Sequence, residues 1–452
     1  MSSLPEIRTT PENVSGYIFE SILLQSDRAP APFEISRIVT DVEIFEDITR
    51  PFLTAKLLLI DNSNLLNNID LLGGEKVVIV VKSLAMDSKS VIKTFYIDEV
   101  TTDQKGFDNT EVVAFHLVED IEYESNLLNV NKFYNDTVDN IIKKIASEFL
   151  HKEVVTNGFS SESNIAVIIP NLHPLEAITW LVNSISTRDG YPYYVFSTLT
   201  LNKLVFMDLG SLIELQSINP EQNGAYRNWQ SATLSDDPKV AARVIKSYKV
   251  EKSENLYNLI HAGFVGATYD FIDTLTNKTN TFDFNVINDL IIPISNKLLP
   301  SKQRNAIVPP GYKSTVNDTA FENLQSVRKT YIGGSNAFKN TNSDFNVSYS
   351  ENTSLADYKK GIVSEAMHSI LEKNPLTIVI DGVPFLQGDE HFTIGRNITI
   401  QFLNSRTDSL SSDDRLDKKK SGDYLIYVTR HIFKKERYEL QLTGLKLANM
   451  DR

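Results

Sequence analysis

The side chains able to do chemistry are few and scattered. The 452 residues include seven histidines, His116, His151, His173, His261, His368, His391 and His431. No two of them fall at the H-x-x-x-H or H-E-x-x-H spacing that sets two imidazoles on one helix face, so zinc catalysis has no basis in the sequence. There are no cysteines, which excludes disulfides, thiolate nucleophiles and cysteine-ligated metals. In Gly311-Tyr312-Lys313-Ser314-Thr315 the lysine does not directly follow the glycine, and no glycine precedes at the spacing a phosphate loop needs. No G-x-S-x-G nucleophile elbow occurs. Asp61-Asn62-Ser63-Asn64 opens like a calcium loop but lacks its central glycine and final glutamate, and reads as a turn or helix cap. Asp and Glu together number 58, so carboxylate pairs are everywhere and spacing cannot mark a glycosidase pair. The expectation is a structural or binding protein, not an enzyme, with no catalytic, cofactor-binding or metal-binding residue and no cofactor.

Length and composition set the frame for those residues. A chain of this size exceeds a single core and implies two to four domains, and 41% hydrophobic content suits a globular protein. The net charge of −13 without a long Lys/Arg run argues against nucleic-acid binding, which depends on phosphate contacts. Met1 to Glu12 is polar and lacks the apolar centre of a secretory signal. No apolar run approaches the ~18–20 residues that span a bilayer, so the expectation is a soluble protein without stable membrane association.

Periodicity supplies the elements. Residues 1–30 read as an arm bracketed by prolines, with Tyr17-Ile18-Phe19 as an edge strand or anchor. From Phe33 to Asp120 the chain alternates with period two: Phe33–Val39, Val42–Glu46, Phe52–Ile60, Val77–Val81, Val91–Val100 and Glu111–Val118. β-Branched enrichment and Gly/Asn/Asp punctuation make these antiparallel strands of a closed or nearly closed barrel. The period then changes. Val138, Ile141, Ile142, Ile145 and Phe149 follow a cap at Asp136-Thr137, and Leu175, Ile178, Leu181, Val182 and Ile185 follow Pro174; both are amphipathic helices. A hairpin over 193–209 completes an α+β domain, 123–238, whose end, Gln216 to Pro238, reads as a linker. Strands resume at Val244–Val250, with a hairpin from Asn258 to Val286. Asn296 to Asn352 reads as extended loop, Ser354 to Lys373 as a helix, and Leu376–Asp381, Phe392–Phe402, Tyr424–Phe433 and Tyr438–Leu447 as strands.

Two stretches echo each other. Gly73-Gly74-Glu75-Lys76-Val77 precedes one strand and Gly395-Arg396-Asn397-Ile398 another, and each is followed by a strand pair, 95–118 and 424–447. The echo predicts a β-rich α+β fold of two related antiparallel β-barrels: 31–122 first, then 239–285 with 374–452 as a second, split barrel, with 286–373 inserted.

The order of parts resembles the baseplate hub proteins of contractile-tailed bacteriophages, which are similar to the hub portion of type VI secretion spike proteins. The residues that carry the resemblance are Leu57–Asp61 leading to Leu71–Val77, Ile169–Leu181 followed by Tyr193–Phe196, and Ser421–Phe433. The resemblance implies tail-tube-like barrels, a homotrimer presenting six of them in a ring, and a virion location assembled in host cytoplasm. It implies a hexameric tail tube protein, a trimeric spike, other baseplate proteins and the tape measure protein as partners, with DNA only passing through the lumen. Three copies at −13 each would carry −39, which suits an acidic lumen that does not hold DNA. Leu65, Leu66, Ile69, Leu71 and Leu72 are the candidate interface residues between barrels; covering their own barrel's open end is the competing reading. The alternative functions are a tail-tip cell-wall hydrolase and a receptor- or glycan-binding tail protein.

Overall fold

The computed structural model describes residues 16–29, 31–61, 69, 71, 73–84, 89–105, 111–156, 164–187, 189–215, 217–218, 225–228, 243–250, 256–273, 278–299, 302, 315–316, 318–320, 323, 327–333, 355–371, 375–382, 393–403, 416–418, 420–434 and 437–449. Alternation builds the first unit: β1 (Tyr17–Gln25), β2 (Phe33–Glu34), β3 (Val39–Asp47), β4 (Thr54–Asp61), β5 (Lys76–Ser83), β6 (Val91–Lys105) and β7 (Glu111–Glu119). In β5 Val77, Ile79 and Val81 are buried while Lys76, Val78 and Val80 are half-buried, the pattern of a strand with one core face. Ile22, Val42, Leu57, Ile79, Phe95 and Phe115 meet in one core, each contributing about 1.5–3 kcal/mol by leaving water. The Tyr17-Ile18-Phe19 piece is the start of β1, which pairs antiparallel with β5.

The middle of the chain holds α1 (Asp120–Asn126), β8 (Phe133–Thr137), α2 (Val138–Phe149), β9 (Val154–Val155), β10 (Asn164–Ile168), α3 (Pro174–Asn183), β11 (Tyr193–Phe196), β12 (Leu204–Asp208) and α4 (Leu209–Glu214). The apolar stripes of α2 and α3 form their shared core with Tyr193 and Phe206. The Asp136 carboxylate accepts from the Thr137 N–H at 2.8 Å where α2 begins, and the Glu176 carboxylate accepts from the His173 N–H at 3.3 Å where α3 begins. The expected hairpin is β11 against β12.

The remaining elements are β13 (Tyr226–Arg227), β14 (Ser247–Val250), α5 (Leu256–Ala262), β15 (Gly266–Asp273), β16 (Lys278–Asn285), a π-turn at Ile287–Ile291, α6 (Ile292–Lys297), β17 (Thr315–Val316), β18 (Thr319–Ala320), β19 (Val327–Gly333), α7 (Leu355–Leu371), β20 (Pro375–Asp381), β21 (Asn397–Gln401), β22 (Gly422–Lys434) and β23 (Arg437–Asn449).

The two-barrel expectation needs correcting. Among the described residues no barrel closes: one 13-stranded sheet runs β14-β20-β23-β22-β3-β4-β7-β6-β5-β1-β2, with β21 beside β22 and β13 beside β21. Its two halves join where β22 pairs antiparallel with β3. Alternation identified the strands, but their pairing partners are set by contacts hundreds of residues apart. The hairpin expected to open a second barrel leaves this sheet, because β15 pairs with β16 and β19 in a separate sheet. Residues 258–262 are helical, not strand: Leu256, Leu259 and Ile260 fall at i, i+3 and i+4. The stretch read as a linker holds β13, which pairs parallel with β21.

The echo itself is visible as topology. Strands β5-β6-β7-β4-β3 and strands β21-β22-β23-β20-β14 have the same order, and every adjacent pair in both is antiparallel. The leading turns match as well, with Gly74 at φ +80° and Gly395 at φ +76°, a left-handed conformation open to glycine at little cost.

Candidate functional site

The described residues contain no group of three His, Asp or Glu side chains placed to hold a metal ion. An open cleft of about 590 Å³ lies beside α2, lined by Asp136, Asn140, Lys143, Lys144, Lys152 and Glu153. Its lysines are engaged with carboxylates of the same chain: Lys143 with Asp139 at 3.2 Å, Lys144 with Asp136 at 2.5 Å and Lys152 with Asp120 at 3.4 Å. It is a solvated charged surface. No helix among the described residues is long and apolar enough to cross a membrane.

The distinctive chemistry is at a junction. Val428–Lys434 of β22 pairs with Asp41–Asp47 of β3, joining the two halves of the sheet. At its centre Glu46 and His431 are each 1% exposed. One Glu46 oxygen accepts from the Leu199 N–H at 2.6 Å. The other takes the Thr429 hydroxyl and faces His431 Nε2 at 3.1 Å. His431 Nδ1 is 2.6 Å from the Tyr438 hydroxyl. Burial pushes the Glu46 carboxyl up, but the His431 charge and the three hydrogen bonds outweigh it and hold it below its ordinary value. Burial, then the Glu46 charge, raises the Tyr438 phenol well above its usual range, so that hydroxyl stays protonated.

Leu199 belongs to the β11–β12 connection, whose residues 197–199 are all buried. Hairpin turns normally stay at the surface because their backbone polar groups need water. This one inserts Leu199 into the first unit's core, and a second buried pair satisfies its backbone. Lys93 Nζ donates to Glu119 at 2.9 Å and to the Leu201 carbonyl at 3.1 Å. Glu119 in turn accepts from the Leu53 N–H at 2.9 Å. Two buried carboxylates thus fasten the middle region to the sheet, one at each side of the hairpin tip.

The sign of the pH effect follows from Glu46. Its folded pKa lies below the ordinary 4.5, so its contribution is fully present above that value and is lost as pH falls through the folded one. Urea unfolding should show a stability gap between the wild type and Glu46→Gln that is constant above pH 4.5 and shrinks below it. A gap independent of pH would contradict this assignment.

Of the candidate interface residues, Ile69 and Leu71 pack on the first unit's core; Leu65, Leu66 and Leu72 lie outside the described residues. His431 is buried in the junction and His116 is half-buried in β7, as strand positions suggest. His173 Nδ1 is 2.8 Å from the Leu128 carbonyl, and His368 Nδ1 is 3.2 Å from the Tyr194 hydroxyl. His391, the 311–314 part of the glycine-lysine stretch and Asn62–Asn64 also lie outside the described residues. The buried charged residues escape a motif search, although parity marks them: Glu46 follows Val42 and Ile44 on the inward face, Lys93 lies between Val91 and Phe95, and Glu119 follows Phe115 and Leu117.

No protein-family model matches the sequence, and a search of curated proteins found no significant match. Solved structures do match. A 43 kDa tail protein of prophage MuSo2 from Shewanella oneidensis is 11% identical with a TM-score of 0.50, covering 94% of this chain and 98% of that one. The chain is folded like that tail protein. A tail protein from Neisseria meningitidis MC58 is 12% identical with a TM-score of 0.48, covering 95% of this chain and 97% of that one. An E. coli component of the type VI secretion system, described as structurally similar to T4 bacteriophage tail proteins, is 10% identical with a TM-score of 0.41, covering 95% and 77%. At 11% identity the likeness to the prophage MuSo2 protein is one of fold.

Proposed function

We propose that the chain is a structural hub protein of a phage tail baseplate, three copies of which form a pseudo-sixfold ring. Such a ring would sit between a hexameric tail tube and a trimeric spike, with DNA passing through its lumen. The observation that supports this reading most is the repeated five-strand unit joined edge to edge within one chain. A chain with two similar units supplies six from three copies, the arithmetic an adaptor between threefold and sixfold partners requires. The tail-protein fold agrees with it, and the junction chemistry is that of a fastener: Glu46 and Glu119 are consumed in backbone and side-chain bonds. On this reading 31–122 and the C-terminal unit are the tube-like domains, 123–238 is the domain between them, and Ile69 and Leu71 lie near a seam. Negative-stain electron microscopy of the purified chain should show rings with six lobes and threefold symmetry. Single-copy particles at micromolar concentration would overturn the proposal.

A further inference from the structure

From the leading glycine turns through the first bulge to Thr102 and His431, the two units match residue by residue. Gly74 N–H donates to the Ile97 carbonyl at 2.8 Å and Ile97 N–H to the Glu75 carbonyl at 2.9 Å; Gly395 N–H donates to the Ile426 carbonyl at 2.8 Å and Ile426 N–H to the Arg396 carbonyl at 2.9 Å. A bulge falls between Ile97 and Glu99 in β6 and between Ile426 and Val428 in β22. Ile97 therefore corresponds to Ile426, and their partners Leu117 and Gly444 correspond too.

That equivalence exposes a difference. One edge of β22 carries β21 along Gly422–Leu425 and β3 along Val428–Lys434. The same edge of β6 carries β5 along Val91–Tyr96. Past the bulge, no strand pairs with that edge of β6 among the described residues. The strand that fills this place in the other unit is β3, and the counterpart of β3 is β14. Among the described residues that strand ends the 13-stranded sheet, pairing only with β20. The chain thus presents one vacant slot and, at the far end of the sheet, the type of strand that fills it.

We propose that β14 of one copy pairs antiparallel with the C-terminal half of β6 in a second copy, repeating between chains the β22–β3 junction present within each chain. The inference rests on the ring reading and names its subunit contact. The occupant is a second copy because the slot and the strand are the two halves of a junction this chain already makes. Contacts of this head-to-tail kind close into a ring when the rotation per copy divides a full turn without rise, one third of a turn for three copies, and closure disposes of both open edges. The register follows from the equivalence. His431 pairs with Ile44; His431 corresponds to Thr102, through their partners Leu440 and Val113, and Ile44 corresponds to Val250, through Ala55 and Leu376. Thr102 of one copy should therefore face Val250 of the next.

The absence of cysteine makes the test clean. Residues directly opposite in an antiparallel pair lie about 4.5–5.5 Å apart at Cα, inside the roughly 4.4–6.8 Å range of a disulfide. The full chain carrying Thr102→Cys and Val250→Cys should give covalent dimers and trimers, and nothing larger, on a non-reducing gel after mild oxidation. A Thr102→Cys/Lys249→Cys chain should not, because a shift of one residue turns the side chain to the opposite face. Trimers by mass without cross-links would overturn the β14–β6 contact and leave the ring reading standing. A monomer would overturn both, and equal cross-linking by the shifted pair would overturn the register. If the cysteine variants misfold, hydrogen exchange of the wild type across a dilution series decides. Residues 99–105 and 247–250 should gain protection as concentration rises, and protection independent of concentration there would overturn the contact.

Discussion

Glu46→Ala is expected to lower stability by about 3–5 kcal/mol, the cost of removing one partner from a buried ionic network. The loss has three sources. The Leu199 N–H, 2.6 Å from the carboxylate, is left without an acceptor inside the protein. The Thr429 hydroxyl loses its partner. His431, 1% exposed, faces an empty space where the anion stood. Equilibrium urea denaturation measures the effect, as a lower midpoint with an unchanged slope. Glu46→Gln keeps an acceptor and the shape, so its cost should be nearer 1–3 kcal/mol. Equal and small effects of the two variants would show that the junction does not depend on the carboxylate.

Lys93→Ala is expected to be similarly severe, about 3–5 kcal/mol, because it strands Glu119 in the interior and unties the Leu201 carbonyl. The informative comparison is the double variant Lys93→Met/Glu119→Gln. Glutamine can still accept from the Leu53 N–H, the bond Glu119 makes at 2.9 Å, and methionine fills the lysine stem's space without a charge. The double variant should therefore be more stable than Lys93→Ala, since a buried ion pair stabilises little beyond an apolar replacement of similar shape. A double variant as unstable as the sum of its parts would mean that Lys93 and Glu119 act independently.

How much of this was legible in the sequence depends on distance along the chain. The strands at 39–47, 76–83, 422–434 and 437–449 follow from alternation, and the helices at 138–149 and 174–183 from apolar stripes with local caps. All are local signals. The echo of one unit in the other is carried by the Gly74 and Gly395 turns, which sit in equivalent places. What alternation could not say was that β22 would lie beside β3. Thr429 and Glu46 are 383 residues apart, and nothing local in either segment names the other. The same limit hid the fate of β15 and β16, which read like the strands of the sheet but pair with β19. The functional groups were half legible. Glu46, Lys93 and Glu119 occupy inward parities among Val, Ile, Leu and Phe, where a charge needs a partner. The alternation shows that they are buried. Their purpose, fastening a hairpin tip that itself avoids the surface, appears once Leu199 and Leu201 are brought beside them.

The most direct measurement of the central claim is absolute mass in solution, by light scattering across a concentration series. One chain weighs 51.0 kDa. A ring of three gives about 153 kDa, three times that value, holding constant as the protein is diluted through the micromolar range. A mass of 51.0 kDa throughout that range would contradict the account.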